Sequence, residues 1–104
     1  MALRDQVITA DDLPRRLAGL PGWTGDTTGI SREYPVGWDA AVRMVADTGP
    51  LAVELEHRPD LDVRWTGLRV FLTTHTAGDV VTELDLVTAA RLDAIAGSYG
   101  VSGL

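Results

Sequence analysis

Leu13, Leu17 and Leu20 recur at the i, i+4, i+7 spacing of one helix face, and residues 9–12 ahead of them are rich in helix-starting side chains. With Asp11 as N-cap, Pro14 falls in the first turn, where its missing N–H is tolerated. The spacing therefore predicts a short amphipathic helix that ends near residues 19–21. Gly22 and Trp23 open a strand, a turn at Gly25 and Asp26 follows, and the alternation over residues 30–36 predicts a second strand paired to the first as a hairpin. Trp38, Val42 and Val45, with Ala41 and Met44 beside them, mark a second helix. Gly49 and Pro50 interrupt it. Proline removes an N–H and crowds the preceding turn, so a kink or break is expected there, with the helix resuming over residues 51–56.

Residues 62–75 read as two strands split near Thr66 and Gly67. The second carries Leu68, Val70, Leu72 and Thr74 on one face and Arg69, Phe71, Thr73 and His75 on the other. Residues 76–79 are a loop. Thr82 with Asp85 forms a capping-box pattern, and Val81, Leu84, Leu92, Ile95 and Tyr99 trace a helical stripe, which predicts a last helix over about residues 83–97. The order α-β-β-α-β-β-α has no long crossover between paired strands. It predicts an α+β fold: one four-stranded antiparallel sheet with helices packed on one face.

Composition narrows the function more than the fold. A chain of 104 residues is a single domain spanning residues 1–104 with room for one core, and folding at this size removes roughly 60–70% of the accessible surface. The absence of cysteine excludes disulfides and thiolate metal sites, and two lone histidines need carboxylate help to hold a transition metal, so no metal is expected. The net charge of −6 and the scattering of the nine arginines disfavour direct nucleic-acid binding. No apolar run is long enough to span a bilayer and the N-terminus lacks a signal-peptide pattern, so no membrane partner and a cytoplasmic location are expected.

The only two histidines, His57 and His75, are the side chains best suited to move protons near neutral pH. His57 lies in Glu56-His57-Arg58-Pro59-Asp60, and His75 closes a long strand after Thr73 and Thr74. Trp65 stands six residues beyond Pro59, Gly22-Trp23 follows the first helix, and Asp85 opens the last one. Together and in this order the pattern resembles that of the pterin-4a-carbinolamine dehydratases, over nearly the whole chain from Thr9 to Tyr99.

The resemblance implies dehydration of 4a-hydroxytetrahydropterin to quinonoid dihydropterin, with no metal and no organic cofactor. Expelling hydroxide from C4a needs an acid at the leaving oxygen, while ring N5 gives up a proton to a base, and two imidazoles can do both. On this reading His57 and His75 are catalytic. His57, at a helix C-terminus beside Glu56 and Asp60, suits the acid, and His75 the base. Arg58, Pro59, Asp60, Trp65, Thr73, Thr74 and Asp85 are the expected substrate-binding residues. The fold's relatives also imply a homodimer or homotetramer built by pairing edge strands.

Three positions depart from the family pattern. Arg58 stands where the family usually has a second histidine, and a guanidinium has no lone pair with which to act as a base. Val53 occupies a position that is usually polar and often acidic. The loop 76–79 is one residue longer than usual. The bland readings are a histidine that merely ends a helix or strand, an Arg58 paired with Asp60 or Asp62, an Asp85 that caps its helix, and three tryptophans in or at the edge of the core. A second functional class follows from them: a non-catalytic dimeric interaction or assembly module, since proteins of this fold also act as a dimerisation cofactor of a transcription factor and in Rubisco assembly.

Overall fold

The structure, a computed structural model, describes residues 1–101. Helix α1 (Leu13–Ala18) leads into the hairpin β1 (Thr24–Asp26) and β2 (Gly29–Tyr34). Helix α2 (Trp38–Leu55), the hairpin β3 (Asp60–Arg64) and β4 (Gly67–Leu72), and helix α3 (Glu83–Gly97) complete the chain. Short 3₁₀ turns cover Leu3–Asp5 and His75–Ala77. The sheet is antiparallel throughout, in the order β1-β2-β4-β3, with Ile30 opposite Leu72 and Val63 opposite Leu68. The expected α+β architecture is therefore the observed one.

Strand alternation decides which face the helices cover. Ile30, Arg32 and Tyr34 of β2 and Leu68, Val70 and Leu72 of β4 are buried, while Glu33, Arg69 and Phe71 between them are exposed. The buried rows pack with Met44 and Leu51 of α2 and with Leu86, Ala89, Leu92 and Ala96 of α3 in one core. A polar cluster sits within it. Asp93 of α3 accepts hydrogen bonds from Trp23 Nε1 at 3.0 Å, Tyr34 Oη at 2.6 Å and Arg32 at 3.1 Å. A buried carboxylate is tolerable only when paired and hydrogen-bonded in this way. Burial, and then the bond to Asp93, push the Tyr34 phenol far above its ordinary value.

Several boundaries differ from the sequence expectation, each for a local reason. Asp12 rather than Asp11 precedes α1, and its own N–H bonds to Thr9 Oγ1 at 3.2 Å. Gly22 has φ +92° and Trp23 turns its indole inward to Asp93, so β1 starts only at Thr24. Strand β3 begins at Asp60, directly after Pro59, where pairing with Phe71 becomes available.

Helix α2 runs unbroken through Gly49 and Pro50. Met44 and Thr48 before the proline and Leu51 after it are buried, so packing holds both halves in the helix. Ala46, whose carbonyl loses its helical donor, is exposed and meets water instead. Strand β4 ends at Leu72; Thr74 forms an isolated bridge to Val80, and His75 sits in a 3₁₀ turn rather than on a strand. Of the three tryptophans only Trp23 is buried. Trp38 is 55% exposed at the start of α2, and Trp65 is 84% exposed at the two-residue turn between β3 and β4. Among the described residues no helix is long and apolar enough to cross a membrane.

Candidate active site

Two helix ends meet beside the end of β4. At the C-terminus of α2, Glu56 adopts a left-handed conformation (φ 50°) and the His57 N–H bonds back to the Ala52 carbonyl at 3.0 Å, reversing the chain and turning His57 inward. At the N-terminus of α3, Thr82 and Asp85 form the capping box that their spacing predicts. The cap has a second use. Asp85 Oδ2 accepts from Thr82 N at 2.9 Å and from Thr74 Oγ1 at 2.8 Å, while Oδ1 lies 2.6 Å from His57 Nε2. Asp85 is fully buried and His57 nearly so.

Asp85 Oδ2 accepts an N–H and an O–H; with the carboxyl ionised its Oδ1 can only accept, which makes His57 Nε2 the donor of the remaining bond. His57 Nδ1 then has no protein partner among the described residues. It is also not sealed off, because Arg32 Nε is the one buried side-chain nitrogen left without a partner among those residues. The result is an imidazole clamped on one nitrogen and open on the other.

His75 is built differently. Its Nδ1 lies 2.6 Å from Asp79 Oδ1 across the loop, and both side chains are exposed. The bond to Asp79 raises the His75 pKa above its ordinary value, against desolvation and with help from the charges of Asp79, Asp60 and Asp85.

Both histidines line one open cleft of about 180 Å³, together with Thr74, Thr76, Glu56, Arg58 and Arg4. Arg4 is an addition to the expected set. It reaches from the N-terminal 3₁₀ turn to the Leu55 and Glu56 carbonyls at 3.5 and 3.2 Å, capping α2, and nothing in the pattern around it signals that tertiary role. The other expected site residues do not line the cleft. Thr73 donates to the Thr28 carbonyl at 2.9 Å, Pro59 and Asp60 lead into β3, and Trp65 stands at the far end of that hairpin, about 16 Å along the chain from Asp60. Val53 is 78% exposed on α2. Arg58 is exposed and pairs with neither Asp60 nor Asp62, the latter being held by Arg64 at 2.8 Å. No three His, Asp or Glu side chains among the described residues gather as metal ligands.

The match to known proteins spans most of the chain. A curated relative from Streptomyces avermitilis, named provisionally as a pterin-4-alpha-carbinolamine dehydratase, is 36% identical over 96 residues, spanning 91% of this chain and 95% of its own. A relative from Paracoccus denitrificans with the same provisional name is 39% identical over 93 residues, 86% of each chain. A crystal structure from Brucella melitensis, described as a transcriptional coactivator/pterin dehydratase, superposes with a TM-score of 0.79 at 29% identity, over 86% of this chain and 98% of that one. The model of the pterin 4 alpha carbinolamine dehydratase family matches residues 6–95, which include His57, His75 and Asp85, and the chain belongs to that family.

Proposed function

We propose that this protein dehydrates 4a-hydroxytetrahydropterins, with the ring edge carrying C4a and N5 placed between His57 and His75. The observation that carries the reading is the His57 imidazole, which lines the cleft, is bound through Nε2 to a buried carboxylate and leaves Nδ1 without a partner among the described residues. An imidazole so oriented is a base, because the carboxylate fixes the tautomer and stabilises the cation formed on proton uptake. His57 Nδ1 takes the N5 proton. His75, kept in its imidazolium form by Asp79, protonates the C4a hydroxyl, which leaves as water while the N5 electron pair closes the N5–C4a double bond. This division of labour reverses the one expected from sequence position. The cleft is smaller than the roughly 300–1,000 Å³ of sites that enclose whole ligands, which fits a flat ring bound by one edge.

The test is the rate of quinonoid dihydropterin formation above the spontaneous rate. His57→Ala and His75→Ala should each lower it by about 10² or more, with the fold checked by circular dichroism. Unchanged rates in both variants exclude the reading.

A second reading, a dimeric interaction module, is favoured by the Brucella melitensis protein, which is described as a transcriptional coactivator as well as a pterin dehydratase. Strands β1 and β3 are both sheet edges, and unpaired edges invite strand addition. A homodimer or homotetramer through such pairing is compatible with either reading. Light scattering that returns 11.1 kDa at micromolar concentration excludes the assembly.

A further inference from the structure

We propose that the cleft selects a pterin whose ring substituent carries an anionic group, a carboxylate or a phosphate, and that Arg58 is the residue that recognises it. The proposal rests on the dehydratase-site reading and names the substrate class of that same site.

Arginine pairing marks Arg58 out. Seven of the nine arginines have a carboxylate within 4.0 Å among the described residues. Arg58 has none, although Asp60 is two residues away, and it lines the cleft beside both histidines. A guanidinium presents five donors in a fork that matches a carboxylate or phosphate.

The surrounding negative charge is largely committed elsewhere. Asp85 is bound to His57, Asp79 to His75, and Glu56 faces Arg4 at 3.7 Å. Asp60 is the remaining carboxylate, and its field acts on His75. The cleft also lies at the C-terminus of α2, whose unpaired carbonyls would repel an anion. Arg4 offsets part of that repulsion by donating to the Leu55 and Glu56 carbonyls through a single nitrogen, leaving its other two guanidinium nitrogens without protein partners among the described residues. An anionic substituent therefore meets one uncommitted arginine and a second half-committed one.

The experiment compares the affinities of pterin-6-carboxylate and 6-hydroxymethylpterin, which share the ring and differ in charge, with inorganic phosphate as competitor. The carboxylate should bind at least about tenfold more tightly at low salt, and this ratio should shrink as ionic strength rises. In Arg58→Gln the ratio should fall to within about threefold of one, and Arg58→Lys should retain part of it. Phosphate should compete with the carboxylate more than with the alcohol. Equal affinities in the unmodified protein overturn the proposal and leave the pterin site standing. A ratio that survives Arg58→Gln overturns the role of Arg58. If neither pterin binds at millimolar concentration, the dehydratase reading itself fails, and this inference with it.

Discussion

His57 Nε2 and Asp85 Oδ1 lie 2.6 Å apart, and the carboxylate, which also caps α3, is fully buried. One side chain thus serves two ends. Asp85 satisfies the first turn of α3 through Thr82 N, and through its other oxygen it orients the imidazole at the end of α2. The cap and the candidate base cannot vary independently.

Asp85→Asn tests that coupling. The amide preserves shape, but its NH₂ group must face either the donors on Thr82 and Thr74, which sets donor against donor, or His57 Nε2, which then accepts in the tautomer that carries its proton on Nδ1. Stability should fall by about 1–3 kcal/mol in urea denaturation. Turnover should fall by about 10² or more, since the carboxylate that stabilises the imidazolium is gone. Loss of stability with full activity would separate the two roles and remove His57 as the base.

The His75–Asp79 pair gives a pH prediction. Its raised pKa means that the imidazolium persists above 6.5, the ordinary histidine value, so the pair's contribution to stability is complete below that value and disappears as pH rises through the raised one. Both groups are exposed, so the effect on stability is small. The effect on chemistry is larger, because an acid must stay protonated to act. Asp79→Asn should lower the His75 pKa toward 6.5 in an NMR titration and move the alkaline limb of the rate profile to lower pH. An unchanged titration curve would show that Asp79 does not control His75.

The cluster around Asp93 should govern stability. Asp93→Ala strands the buried Arg32 charge and leaves Trp23 and Tyr34 without their acceptor, a change expected to cost about 3–5 kcal/mol. A drop of less than about 1 kcal/mol in chemical denaturation would contradict this account of the core.

The sequence carried the periodicities that place α2, α3 and the four strands, because one buried face imposes a repeat of 3.6 or 2 on each. It carried the Thr82–Asp85 cap for the same local reason. What it could not carry was tertiary. Pro50 looks like a break until Met44, Thr48 and Leu51 are seen anchoring both sides of it. Trp65 looks like core until the register of Arg64 with Gly67 puts it on the hairpin tip. The cap spacing reveals Asp85 as a helix-starting residue, but nothing local reveals that its second oxygen meets a histidine 28 residues away. Arg4 is the same case, acting on carbonyls 51 and 52 residues distant.

Arg58→His is the most direct test of what the departure from the family pattern costs. Arg58 lines the cleft, and as a permanent cation it cannot accept a proton at any point in the cycle. General acid–base assistance is worth roughly 10² to 10⁴ in rate, so an imidazole at this position offers a second proton acceptor next to His57. Only part of that range is expected. Val53 leaves α2 without a carboxylate four residues before His57, and the Asp79 loop sets the position of His75 by a bond that the substitution does not touch. Turnover of a neutral 4a-hydroxytetrahydropterin should therefore rise by at least about tenfold, read as quinonoid dihydropterin formed per enzyme. The same substitution should erase any preference for an anionic substituent, because the fork of donors is gone. If turnover is unchanged while that preference disappears, Arg58 acts in recognition alone and the proton transfers belong to His57 and His75. If neither changes, Arg58 is a solvated surface charge, and the departure at this position has no bearing on the reaction.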